Sequence, residues 1–176
     1  YKDIFGGRSI LGNTTTQNTI TVSDAVTYRN AYGGWTSGTG TTLTEKGNSI
    51  SNKITVGSTV TDVTGTVYGG FTDVPGGNAT SNEVTIEKSI TGGVVGGKAA
   101  GDASGNTVTV GNVTVNSITG GDGATTKDNT VNIDGTTVTS KIVGGTQANG
   151  TNNTLNVKGQ NSAQSVEGFQ KMNFNT

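Results

Sequence analysis

The chain has 176 residues, a net charge of −1, 29% hydrophobic residues and 30 glycines, and it contains neither cysteine nor histidine. Disulfides, zinc sites built from these residues, thiol catalysis and a Ser-His-Asp triad are therefore excluded. The 11 basic and 12 acidic residues form no basic stripe, which argues against nucleic acid as a partner.

Low hydrophobicity would suggest disorder only in combination with a high net charge, which this chain lacks. Its aliphatic residues are also periodic, so we expect an ordered structure with a thin core. No helix of useful length, signal peptide or transmembrane span is visible in the sequence.

A repeated unit runs along the whole chain and joins a short strand to a pair of glycines. The strands share the pattern Asn-x-aliphatic-x-aliphatic and lie at 18–22, 52–56, 82–86, 106–110, 129–133 and 153–157. The glycine pairs lie at 6–7, 33–34, 69–70, 96–97, 120–121 and 144–145, with a partial seventh at Gly168-Phe169. The step from each asparagine to the next glycine pair is nearly constant, whereas the return step absorbs the insertions.

The repeat settles at about 24 residues in the C-terminal half, a period typical of solenoids and related repeat folds. The unit is too short for a propeller blade, and three leucines are too few for leucine-rich repeats. We therefore predict an all-β parallel β-helix of about seven coils, each with three short strands, the third exemplified by 112–115 and 136–139.

Side chains alternate between the two faces of a strand, so Val108 and Val110 should point inward together with Asn106. Equivalent asparagines would then stack coil on coil at about 4.8 Å and hydrogen-bond to one another as a ladder. The residue two before each glycine pair is apolar and predicted to face inward, whereas the residue between varies and should face outward. We expect the glycine pairs to provide the backbone freedom that a tight corner needs.

Aromatic residues are the leading candidates for a binding site. Phe5, Tyr32 and Tyr68 occupy the same outward position on the first three coils, and Trp35 and Phe71 directly follow glycine pairs. The long loop at 35–51 is expected on the same edge. Exposed aromatics mark protein interfaces, and their faces can also stack on sugars. The alternative is that the enlarged loops fold back over the rings, which would then be structural.

Acidic residues are a second candidate, because Asp73, Asp102 and Asp122 lie on successive loops after glycine pairs. Such carboxylates could bind Ca²⁺ or act as a glycosidase pair. Their distances from the glycine pairs differ, however, which favours solvated loop carboxylates. We predict no catalytic residue, metal or cofactor.

The units 67–70 with 82–86 and 142–145 with 153–157 resemble the Gly-rich repeats in passenger domains of monomeric autotransporters (type V secretion) of Gram-negative bacteria, particularly adhesin-like ones. The segment 166–174 is similar to the one that often closes a repeat block in that family. The resemblance implies a right-handed parallel β-helix, which an outer-membrane β-barrel of the same parent protein would carry to the cell surface.

We therefore expect residues 1–176 to be a single β-helix piece of a longer passenger domain, with loop insertions at 35–51, 57–66 and 71–81. The expected function is cell-surface adhesion by a monomer, either anchored at the outer membrane or secreted. It would bind protein or glycan on host or partner bacterial cells. A passive stalk that projects a distal tip and, third, a polysaccharide-active enzyme remain as alternatives.

Overall fold

The computed structural model describes residues 2–10, 13–38, 47–146 and 150–175. Within these ranges no helix is long and apolar enough to cross a membrane. The described residues form the strands β1 Lys2–Ser9, β2 Thr15–Thr16, β3 Thr19–Val22, β4 Thr27–Thr36, β5 Ser49–Ile50, β6 Lys53–Val56, β7 Asp62–Val63, β8 Thr66–Thr72, β9 Ala79–Thr80, β10 Glu83–Ile86, β11 Gly93–Lys98, β12 Thr107–Val110, β13 Thr114–Val115, β14 Ile118–Asp122, β15 Thr130–Asp134, β16 Thr137–Val138, β17 Lys141–Gly145, β18 Thr154–Lys158, β19 Ser165–Glu167 and β20 Lys171–Asn175.

The strands pair in parallel with their counterparts in the neighbouring repeats. The first sheet has the order β1-β4-β8-β11-β14-β17-β19, with β7 beside the start of β4. The second sheet has the order β20-β18-β15-β12-β10-β6-β3. The described chain is thus all-β, with parallel strands in stacked sheets, an arrangement consistent with a β-solenoid. The predicted fold class is confirmed at this level.

The third strand of the repeat is shorter than predicted. In the regions 112–115 and 136–139 the structure has only the two-residue strands β13 and β16. The N–H of Val113 donates to Gly111 O across a turn, and Gly135 has a left-handed φ of 64°. The first turn takes up residues 112 and 113, which the sequence pattern assigned to the strand, and the second directly precedes residue 136. In the N-terminal half, β2, β5 and β9 form a separate short ladder, each lying between a glycine pair and the next inward asparagine.

The core consists of thin aliphatic columns that run along the stack. The first sheet contributes one buried column, Ala31, Val67, Val94, Ile118 and Ile142. The second sheet contributes two, Ile54, Val84, Val108, Val131 and Leu155, and Val22, Val56, Ile86, Val110 and Ile133. A core this narrow needs few apolar residues, which explains how an ordered chain can be only 29% hydrophobic.

The predicted asparagine ladder is confirmed. The backbone N–H and Nδ2 of Asn82 donate to Oδ1 of Asn106 at 3.0 and 3.1 Å, and Asn106 donates in the same way to Asn129. Asn106 Nδ2 also donates to Ala79 O of the preceding repeat at 3.0 Å. These side chains are at most 1% exposed. Burial of so many amides is tolerated because each one is hydrogen-bonded.

The expected reason for the glycine pairs is wrong, and the pairs lie within strands of the first sheet, for example 33–34 within β4 and 69–70 within β8. No glycine of the six pairs has a left-handed φ. The requirement is steric: a Cβ on Gly97 would lie 2.5 Å from Asn106 Nδ2, and one on Gly120 would lie 2.5 Å from Gly144 O. Real Cβ atoms do not approach so closely. The pairs are glycine because the next strand and the asparagine amide occupy the side-chain space.

The last repeat is shorter than the others between its first-sheet strand and its second-sheet strand. Ile142 pairs with Val166, 24 residues later, but Leu155 pairs with Met172, only 17 residues later. Phe169 packs against the core in the shortened segment, and Gln170 Oε1 replaces the next asparagine by accepting from the Asn153 N–H at 2.8 Å. The apolar end of the stack stays partly open, as seen in the exposed side chains Val166, Met172 and Phe174.

The steric role of the glycine pairs predicts that glycine-to-alanine substitutions inside and outside a pair differ greatly in their effect on the free energy of unfolding. Gly97→Ala should lower the free energy of unfolding by about 3 kcal/mol, because the buried Asn106 amide cannot move away without breaking its ladder. Gly111→Ala is the control, since its nearest atom, Ile86 O, would lie 4.0 Å from the added Cβ. Its stability should be unchanged or raised by up to about 1 kcal/mol. Urea unfolding measures both; equal effects would contradict the steric explanation.

The ladder predicts a second contrast, between inward and outward asparagines. Asn106→Ala removes the acceptor of the Asn82 N–H and Nδ2 and the donor to Ala79 O. Since each buried polar group without a partner costs about 1–3 kcal/mol, we expect a loss of at least about 3 kcal/mol in unfolding free energy. Asn132→Ala, on the outer face of the adjacent strand, should cost under about 1 kcal/mol. Similar losses in the two variants would show that the inner ladder is not a special source of stability.

Candidate functional site

The five predicted aromatic residues lie together on the outer face of the first sheet. Phe5, Tyr32 and Tyr68 are aligned in register on β1, β4 and β8, and Trp35 and Phe71 are aligned on β4 and β8. On β4, β8, β11 and β14, one half-buried residue lies on either side of a buried glycine pair, as Tyr32 and Trp35 do around 33–34. The structure thus brings together all five residues, which we call the aromatic ladder.

Ring stacking in the ladder follows the spacing of the strands. The ring centroids of Phe5 and Tyr32 are 5.0 Å apart with an interplanar angle of 8°, and those of Tyr32 and Tyr68 are 5.1 Å apart at 9°. These distances are close to the separation of neighbouring strands, about 4.8 Å. Trp35 stacks on Phe5 at 5.3 Å, and Phe71 meets Tyr68 in an edge contact at 5.2 Å.

The five rings are half-buried, largely through contact with one another. The loop at 35–51, predicted to lie along this edge, falls partly at 39–46, outside the described residues. The row of Phe5, Tyr32 and Tyr68 continues with Val95, and then with Thr119. The aromatic surface therefore ends at β8, whereas the sheet that carries it continues with β11 and β14.

Charged residues frame the aromatic ladder. The Arg8 guanidinium lies 4.4 Å from the centroid of Trp35 and 5.2 Å from that of Phe5, a cation–π arrangement. Arg29 donates two hydrogen bonds to Asp3, at 2.6 and 3.0 Å, and this contact holds the pKa of the Asp3 carboxyl below its ordinary value. On the far side, Lys98 forms an ion pair with Asp122 at 2.5 Å.

Tyr32 lies at the centre of the ladder, between Phe5 and Tyr68. Burial raises the pKa of its hydroxyl to about 12, with smaller contributions from Tyr68 and Asp3. Desolvation disfavours the phenolate, so the ring keeps its O–H donor at any physiological pH.

The three acidic candidates do not form one site. Asp73 accepts from Ser37 Oγ at 3.1 Å, Asp102 accepts from the neighbouring Ser104 hydroxyl, and Asp122 accepts from Lys98. In the part of the chain that the structure describes, no group of three or more Asp or Glu residues is placed to hold a metal ion. Asp73 and Asp122 instead link neighbouring repeats, and Asp102 accepts within its own loop.

Two features were not identified from the sequence. Arg8 occupies the position equivalent to Trp35 and Phe71, and its place directly after a glycine pair could have revealed it. A second, outer polar ladder links Asn156 Nδ2 to Asn132 Oδ1 at 2.7 Å and Asn173 Nδ2 to Asn156 Oδ1 at 2.6 Å. The repeated outward asparagine of the second sheet was the signal for that ladder.

Comparison with known proteins adds no assignment to this geometry. The chain matches no protein-family model, no curated protein and no solved structure. A function must therefore be argued from the surface that the residues form.

The raised pKa of Tyr32 predicts a loss of stability in alkali. Because the folded pKa of about 12 exceeds the ordinary value of 10.0, the contribution of Tyr32 is complete below pH 10 and is lost as the pH rises towards 12. A phenolate absorbance titration of the native protein, minus that of Tyr32→Phe, should give a midpoint near 12. The same difference in urea should return to about 10. A native midpoint of about 10 would show that the ring is solvated.

Proposed function

We propose that this chain is a cell-surface adhesion segment of an autotransporter passenger, and that the aromatic ladder is its binding surface. It is a right-handed β-helix of about seven coils, roughly 30 Å long at about 4.8 Å per coil. The seven-strand order of the second sheet supports the coil number, and the strong preference for right-handed crossovers between parallel strands supports the handedness.

One observation carries this proposal: five aromatic rings and an arginine form one continuous outward patch. The fold does not require aromatics there, because Val95 and Thr119 occupy equivalent positions on later strands of the same sheet. Tyrosine, tryptophan and arginine are the residues most enriched at the energetic centres of protein interfaces. A cluster of these types in only one part of a regular sheet supports the proposal that this part is a binding surface.

Adhesion by such a surface needs rigidity, not catalysis. Stacking fixes the rings before any partner arrives, so little side-chain entropy remains to be lost on binding. A stiff stack also presents its surface at a fixed distance, and many copies on one cell would bind with avidity. We place the segment at the surface of a Gram-negative cell, where it would contact host or neighbouring bacterial cells.

The mutual stacking of the rings favours a second candidate function, a passive stalk. Phe5, Tyr32 and Tyr68 stabilise adjacent strands of the first sheet, as an aromatic row can do in any parallel sheet. In that case this segment would position an adhesive tip elsewhere in a longer protein and would have no partner of its own.

Cell binding distinguishes the two functions. The 176-residue protein would be labelled and titrated onto epithelial and bacterial cells beside the variant Tyr32→Thr/Trp35→Thr/Tyr68→Thr. Threonine is chosen because Thr119 and Thr146 occupy the equivalent outward positions in later repeats. The control, Thr55→Ala/Thr85→Ala, changes the outer face of the second sheet. Circular dichroism and urea unfolding would establish that all three proteins are folded.

We expect saturable binding by the wild-type protein and the control, and at least a roughly tenfold weaker affinity in the aromatic variant. Absence of binding by the folded wild type would identify the segment as a stalk. Undiminished binding by the aromatic variant would place the adhesive surface elsewhere on the chain.

A further inference from the structure

Tyr32, at the centre of the stacked row, has both of its ring faces covered. Tyr32 lies between Phe5 and Tyr68, at centroid distances of 5.0 and 5.1 Å. No further planar or pyranose ring can therefore enter on either side of Tyr32. Phe5 is also stacked by Trp35, and the Arg8 guanidinium lies over Trp35. A sugar that stacks on an aromatic residue needs an open ring face, and the centre of this row, Tyr32, offers a ring edge instead.

Ring edges select different chemistry from ring faces. The edge of an aromatic ring carries partial positive charge, so it attracts oxygen acceptors and the faces of other aromatic rings, and it packs well against aliphatic groups. The raised pKa keeps the Tyr32 hydroxyl in its neutral form, which can donate a hydrogen bond. The ladder therefore presents a strip of apolar edges together with at least one hydrogen-bond donor.

The charges beside the ladder differ in whether they already have a partner. Arg29 is paired with Asp3, and Lys98 is paired with Asp122. Arg8 makes no ion pair within the described residues, where its guanidinium is instead held by the rings of Trp35 and Phe5. A stacked guanidinium keeps its N–H groups directed in its own plane, which suits bidentate binding of a carboxylate.

We infer that the aromatic ladder recognises a protein surface that presents aliphatic or aromatic side chains beside a carboxylate, and that Arg8 binds that carboxylate. This inference rests on the proposed adhesion function and specifies its partner class. The apolar side chains would pack against the edges of Tyr32, Tyr68 and Phe71. A neutral glycan would find both faces of the central Tyr32 covered, and the charged groups of Asp3, Arg29, Lys98 and Asp122 already paired.

Removal of either the proteins or the glycans from the target-cell surface tests the partner class. Epithelial cells would be exposed either to trypsin or to periodate, which oxidises the vicinal diols of surface glycans, and then titrated with the 176-residue protein. We expect trypsin to abolish binding and periodate to leave it unchanged. Binding that resists trypsin but is lost after periodate would overturn the inference and leave adhesion intact. No binding to untreated cells would instead overturn the proposed adhesion function itself.

Arg8 can be tested directly with matched variants. Arg8→Gln should weaken cell binding by roughly tenfold, and Arg8→Lys should recover only part of the loss because lysine lacks the bidentate fork. Lys127→Gln is the control, since Lys127 is exposed on another part of the stack and makes no ion pair within the described residues. Equal binding by Arg8→Gln and wild type would overturn the assignment of the carboxylate contact.

The only tryptophan of the chain provides a third test, because Trp35 lies within the ladder under Arg8. Its fluorescence should remain unchanged during titration with a neutral oligosaccharide such as maltohexaose and with a uronate oligosaccharide. A saturable change with the neutral sugar would overturn the preference for protein. A change with the uronate sugar alone, abolished by Arg8→Gln, would assign the carboxylate to a glycan and likewise overturn the inference.

Discussion

The structure depends on the contact between an inward asparagine and the second glycine of the pair that precedes it. The Asn106 amide fills the space that a side chain on Gly97 would need, so Asn106, directly before β12, packs closely against β11 of the same repeat. The same amide donates to Asn129 and accepts from Asn82. One side chain thereby fixes both the path of the chain within a repeat and the register between repeats.

That register explains the surface as well as the interior. On β4, β8, β11 and β14 both glycines of the pair are buried, so the residues on either side of them face outward, as Tyr32 and Trp35 do. In-register stacking then places equivalent residues one strand spacing apart, which brings Tyr32 and Tyr68 into parallel contact at 5.1 Å. The aromatic ladder thus forms because the glycine–asparagine contact fixes the register, and aromatic residues occupy equivalent outward positions on the first three strands of this sheet.

Alternation and spacing were sufficient to predict the inward columns, the asparagine ladder and the alignment of Phe5, Tyr32 and Tyr68, because these depend only on parallel in-register stacking. Other features depend on atomic distances that spacing does not encode. The glycines at 96–97 are required by steric crowding and not by backbone angle. Similarly, the mutual occupation of the ring faces and the cation–π contact of Arg8 follow from rotamers, which a repeat pattern does not specify.

Hydrogen exchange of the asparagine side-chain amides is the most direct test of this account. In nitrogen-edited NMR spectra, the Nδ2 protons of Asn82, Asn106 and Asn129 should exchange as slowly as the backbone amides of the surrounding strands, because both donors of each side chain are bound in a buried ladder. The half-buried Asn132 and Asn156 on the outer face should exchange much faster. Rapid exchange at the three inner asparagines would contradict the ladder and the in-register stacking that it maintains.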